Sequence, residues 1–137
     1  MTHLDDHVLS HRFLPLKLAC AAYVLAIPLA HGLLPDRFVW EIAAFFLVAM
    51  LFTYPLAALN ARRWIGVETG VSLGLAALGL VGLAGFPALV VAGIFGHGVW
   101  DLCKQRGAGV PFFGWYVTGC VTVDWIYAAA LALHLVR

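Results

Sequence analysis

Residues 64–100, WIGVETGVSLGLAALGLVGLAGFPALVVAGIFGHGVW, contain neither Lys nor Arg. At about 1.5 Å rise per residue, one helix over this stretch would be roughly 55 Å long, almost twice the hydrocarbon thickness of a bilayer. It must fold back on itself. Gly82, Gly85 and Pro87 supply the turn chemistry, because Gly takes unusual backbone angles and Pro can open the helix that follows. The reading is a tight helical hairpin joined by Ala84, Gly85 and Phe86.

The rest of the chain fits that solvent. Of its 137 residues 64% are hydrophobic and 11% charged, with a mean hydropathy of +0.96. A soluble domain sits near about 45–50% apolar and about 25% charged. A soluble fold of this size cannot bury so much apolar surface, so soluble globular, disordered and disulfide-scaffold classes drop out. The net charge of +1 offers no basic patch for nucleic acid. Cys20, Cys103 and Cys120 are widely spaced, with neither a CxxC nor a zinc-ligand pattern.

On either side of the hairpin, spans are expected near 18–34, 38–59, 64–83, 88–103 and 112–136, with residues 1–13 interfacial or cytoplasmic. The expected fold is a single all-α domain over 1–137, a polytopic transmembrane helical bundle of about five spans. Arg12, Lys17, Arg62, Arg63, Lys104 and Arg106 then share one side, and only Arg37 and Arg137 the other. The positive-inside rule makes the first side, with the N-terminus, cytoplasmic. Treating the hairpin as one span would blur that asymmetry. Trp64, Trp100, Trp115, Tyr116 and Trp40 fall at interfaces, where amphipathic rings settle. Arg12 and Lys17 before an apolar run resemble a cleaved signal, but cleavage would spoil the charge split, so the first span is read as retained. The implied location is the cell or inner membrane, multi-pass.

Ionisable groups inside spans cost about 2.5–3.5 kcal/mol at a helix centre, so each needs a reason. Asp124 lies midway along the last span beside Trp125, with Cys120 one turn earlier on the same face. Its plain alternative is a neutral Asp bonded to a neighbouring helix. His97 and Asp101 stack one turn apart, with Gly93 and Lys104 on the same face. An Asp so placed can orient an imidazole as a general base, or join it as a metal ligand. The bland reading has Asp101 neutralise Lys104. Glu68, with Ser72 stacked above it, is third, and its alternative is snorkelling towards Arg62 or Arg63. The opposite face of that helix is a ridge, Gly66, Gly70 and Gly74, which suits close helix approach. It places the helix centrally, or makes its glycine side a subunit interface in a homo- or hetero-oligomer.

Together, His97, Asp101, Glu68 and Asp124 are the candidate catalytic groups, and Ser72, Trp100, Cys120 and Trp125 the candidate substrate contacts. If they line one pocket in the cytoplasmic half, it would bind or process a small lipophilic ligand. An isomerase, hydratase or hydrolase would use His97 as proton shuttle and Glu68 or a protonated Asp124 as acid. The alternatives are a proton- or cation-coupled transporter or channel subunit, and an accessory scaffold without chemistry. Asn60 borders this region, while His31, Glu41 and His134 gather at the far side, where solvation is their ordinary explanation. His3, His7 and His11 recur every four residues behind a loose Thr2–Asp5 cap and are weak metal candidates, or simply a polar lead-in. Pro28 and Pro55 are expected to kink their spans and free carbonyls for polar partners. No P-loop, dinucleotide fingerprint, nucleophile elbow or zincin motif is present, so no cofactor is named.

Overall fold

The computed structural model describes residues 14–137, and the side chains of all of these except 28–30. The histidine stripe at His3, His7 and His11, the Thr2–Asp5 cap, Arg12 and the side chain of Pro28 lie outside the described residues. The described chain is helical, without strands: α1 (Leu14–His31), α2 (Asp36–Met50), α3 (Thr53–Ala61), α4 (Ile65–Leu83), α5 (Ala88–Gln105) and α6 (Gly114–Leu135). The fold is an all-α bundle. Three segments are long and apolar enough to cross a membrane: Asp36–Ala61, Ile65–Leu83 and Gly114–Leu135. The first expected span gives a shorter apolar run, Leu14–Ile27, and the fourth, α5, spends part of its length on His97, Asp101 and Lys104.

The hairpin forms where the glycines put it. Gly85 takes φ 129°, a left-handed angle that favours glycine, and the Phe86 N–H donates to the Gly82 carbonyl at 3.0 Å. Pro87 stands at the N-cap of α5. At Gly82 a Cβ would lie 2.5 Å from Val90 Cγ2, so the absent side chain sets how closely α4 and α5 begin. Further along, the Leu47 side chain of α2 sits between Gly79 of α4 and Gly93 of α5, where added Cβ atoms would come within 3.2 and 2.5 Å of Leu47 Cδ2.

The expected second span is broken. Pro55 has no N–H for the Leu51 carbonyl one turn back, and its ring crowds that carbonyl. The helix therefore stops at Met50 and resumes at Thr53. The Leu51 oxygen accepts a hydrogen bond from Ser72 Oγ at 3.0 Å instead.

The central helix is α5, packed by α4, α6 and α2. Helix α4, expected either centrally or with its glycine side at a subunit interface, packs on α5, α2 and α3. Gly66, Gly70 and Gly74 have nothing within 4 Å of their would-be Cβ atoms, so the ridge faces outward. Towards the hairpin turn lies the larger apolar core, with Val24, Val39, Leu47, Ile94, Tyr127 and Leu131. A smaller one, Tyr54, Ala58 and Val110, lies at the other end. Between them the buried groups are polar, His97, Asp101 and Asp124, while Leu18, Phe45, Leu73 and Phe86 face outward. Such an inside-out distribution suits an apolar surround, where close packing and interhelical hydrogen bonds replace exclusion of water as the cohesive force.

Candidate functional site

The polar layer exists because α6 can come close to α5. A Cβ at Gly98 would meet Trp125 Nε1 at 2.6 Å and Asp124 Cβ at 3.2 Å. With no side chain there, Asp124 reaches across, and its Oδ2 lies 2.7 Å from His97 Nδ1. Asp101, one turn along α5, places its Oδ2 3.6 Å from the same nitrogen. From α3, just beyond the helix break, the Tyr54 hydroxyl donates to Asp101 Oδ1. The Tyr54 ring also stacks on His97, with centroids 6.0 Å apart and planes at 18°. His97, Asp101 and Asp124 are 2%, 0% and 0% exposed.

A second group adjoins the first through Tyr54. Lys104 Nζ lies 4.1 Å from the centre of the Tyr54 ring and pairs with Glu68 Oε1. The Trp100 indole N–H donates to Glu68 Oε2 at 3.0 Å, and the Val110 backbone N–H to Glu68 Oε1 at 2.6 Å. Gly109 permits this closure. Its φ is 66°, and a Cβ there would collide with Glu68 Oε1. Both Glu68 oxygens are thus partnered, as a buried carboxylate requires.

The first group is not so satisfied. Asp101 Oδ2, Asp124 Oδ1 and His97 Nε2 are buried without a hydrogen-bond partner. One ligand atom from each of His97, Asp101 and Asp124 lies within 4.8 Å of the others, the spacing of a group able to hold a metal ion.

Of the residues singled out in the sequence, Glu68, His97, Asp101 and Asp124 come together as two linked clusters. Several expectations about them change. The imidazole is held more closely by Asp124 than by Asp101, its neighbour on the helix. Lys104 turns to Glu68 rather than Asp101, and Glu68 is buried rather than snorkelling to the exposed Arg62 and Arg63. Trp100 anchors Glu68, and Ser72 serves the helix break. Trp125 stacks on Phe95 at 5.6 Å and is partly exposed. Cys120 is partly buried and lies near Asp101, Asp124 and Tyr116. Tyr54 was not legible as a site residue, although its place in the polar Thr53–Tyr54–Pro55 run inside an apolar stretch was a usable signal.

The open clefts lie elsewhere. One of about 610 Å³ is bordered by Ala57, Asn60, Val110, Pro111, Phe112 and Phe113. Phe112 separates it from Tyr54, ring centre to ring centre 5.4 Å. At the far side a cleft of about 480 Å³ is lined by His31, His134 and Arg137 among apolar residues. There His31 Nε2 meets the Tyr127 hydroxyl at 2.8 Å, His134 Nε2 meets Asp36 Oδ1 at 3.2 Å, and Arg37 pairs with Glu41 at 2.6 Å. Set against models of known families, curated proteins and solved structures, the chain matches none of them.

Proposed function

We propose that the chain is a multi-pass protein of the cell or inner membrane, with about five spans and a cytoplasmic N-terminus, that binds a cation within its bundle and conducts or couples its passage. The observation that carries this reading is the unfilled valence of Asp101 Oδ2 and Asp124 Oδ1, on two fully buried carboxylates that each turn an oxygen to His97 Nδ1. Buried carboxylates in an apolar bundle are retained at a cost, and they mark ion or proton paths. One ligand atom from each of the three groups lies within 4.8 Å of the others, which suits an ion rather than an organic molecule between them. The Glu68–Lys104 pair beside them is self-neutralised, so it leaves the charge of the carboxylates to be matched by another cation. A second copy packs on the outward Gly66, Gly70 and Gly74 ridge, whose exposed backbone suits a close, self-complementary crossing.

A second reading is supported by the cleft behind Phe112. A small lipophilic ligand there would lie one ring away from Tyr54 and Asp101, and acid–base chemistry of the isomerase, hydratase or hydrolase type would follow if Phe112 moved.

The test is cation flux into liposomes carrying the purified protein, read with proton- and metal-sensitive dyes. Flux above that of empty liposomes, lowered at least tenfold by Asp124→Asn and His97→Gln in folded protein, supports the cation reading. Wild-type flux equal to the empty control for protons, alkali ions and divalent ions ends it.

A further inference from the structure

The cation-binding reading leaves open which cation the centre takes, and the donor set narrows it. We infer that His97 Nδ1, Asp101 Oδ2 and a carboxylate oxygen of Asp124 hold one divalent first-row transition-metal ion, of the Mn²⁺, Fe²⁺ or Zn²⁺ class. This rests on the cation-binding reading above and narrows it to one kind of ion.

Several independent observations lead there. The three side chains come from two packed helices, and their ligand atoms lie within 4.8 Å of one another. Asp101 Oδ2, unpartnered and fully buried, faces the same nitrogen that Asp124 Oδ2 faces. An ion replaces the His97–Asp124 contact of 2.7 Å: that pair opens and the 3.6 Å between His97 and Asp101 closes slightly, towards the spacing of about 3–3.4 Å found around a metal at about 2.0–2.2 Å.

Charge points the same way. Lys104 is matched by Glu68, so the nearest fixed positive charge is already used. Two ionised carboxylates with a neutral imidazole balance one doubly charged ion. The imidazole argues against Mg²⁺ and Ca²⁺, which favour oxygen alone, whereas mixed nitrogen and carboxylate ligands suit Mn²⁺, Fe²⁺ and Zn²⁺. Tyr54 completes the arrangement. By donating to Asp101 Oδ1 it orients that carboxylate and leaves Oδ2 directed at the centre, as outer partners of metal ligands commonly do.

The experiment uses the full chain without a polyhistidine tag, stripped with a chelator in detergent and then dialysed against Mn²⁺ or Zn²⁺. Metal content is read by mass spectrometry, and Mn²⁺ also by its electron paramagnetic resonance spectrum. About one ion per chain is expected, with affinity falling at least tenfold in Asp101→Asn and Asp124→Asn. The affinity stays unchanged in the triple variant His3→Ala, His7→Ala, His11→Ala and in His134→Gln. Wild type that retains less than a tenth of an equivalent, or Asn variants that bind like wild type, overturn the inference. Should the Asn variants fail to fold, His97→Cys decides. A ligand position shifts preference from Mn²⁺ towards the thiolate-seeking Cd²⁺ by more than tenfold, and an unshifted preference overturns the inference. Wild type that takes up no Mn²⁺ or Zn²⁺ on dialysis yet passes protons or sodium sinks the metal site and leaves the cation reading standing. Stoichiometric metal with no flux of any ion upholds the metal site and the binding of a cation, and sinks its passage.

Discussion

The Tyr54 hydroxyl donates to one oxygen of Asp101 and thereby fixes which oxygen stays free. Tyr54 belongs to α3, just beyond the break between Met50 and Thr53, so the helix break and the acid centre are parts of one arrangement. Removing the hydroxyl in Tyr54→Phe leaves Asp101 with both oxygens unpartnered in the interior. The expected cost is about 1–3 kcal/mol of stability, with cation affinity down about tenfold. Thermal unfolding in detergent and a binding titration read the two effects. A variant as stable and as tightly binding as wild type would deny Tyr54 its positioning role.

Ser72 and Pro55 form a testable pair. Ser72→Ala removes the bond that satisfies the Leu51 carbonyl and should cost about 0.6–1.5 kcal/mol. In a Pro55→Ala background the backbone N–H regained at position 55 can bond that carbonyl, and the same Ser72 change should cost little. The double-mutant cycle, followed by unfolding in mixed micelles, should show that coupling. Equal costs in both backgrounds would mean the two residues act separately.

Glu68 and Lys104 should behave as a buried pair. Glu68→Gln or Lys104→Met alone strands a charge and is expected to cost about 3–5 kcal/mol, while the double variant recovers much of that loss. Unfolding midpoints of the three variants decide the matter. Additive losses would show that the two charges are stabilised independently.

The outward glycine ridge is a prediction about assembly. A Cβ at Gly70 would have nothing within 4 Å of it, so Gly70→Leu should leave the fold undisturbed. Self-association, measured by energy transfer between labelled copies in liposomes, should fall at least tenfold. A wild-type protein that stays monomeric at high protein-to-lipid ratio would remove the ridge as an interface.

Much of this arrangement was readable from the chain, for identifiable reasons. The hairpin at Gly85 followed from length, since an uncharged stretch that overruns a bilayer has to turn. The break at Pro55 followed from a missing N–H. The acids Glu68, Asp101 and Asp124 were conspicuous because their surroundings are apolar. The facing of α4 was not readable, because in an apolar surround both of its faces are tolerable and spacing alone does not say which turns inward. Partner choice was equally hidden. Helical spacing paired His97 with Asp101, but Gly98 admits α6 closely enough for Asp124 to come nearer. Lys104 was counted as a charge that orients the chain, and its burial against Glu68 depends on the positive φ at Gly109, a backbone angle that no hydrophobic pattern reveals.

Glu68 opens α4 and Lys104 closes α5, so their pair lies at the mouth of the hairpin whose other end is the turn at Gly85. The two helices therefore bring their own counter-charge. During synthesis that pair can close before α6 has emerged, leaving Asp101 as the one carboxylate of these two helices outside it. Asp101 then awaits the last helix with its free oxygen already set by Tyr54, and the centre is completed only when Asp124 arrives.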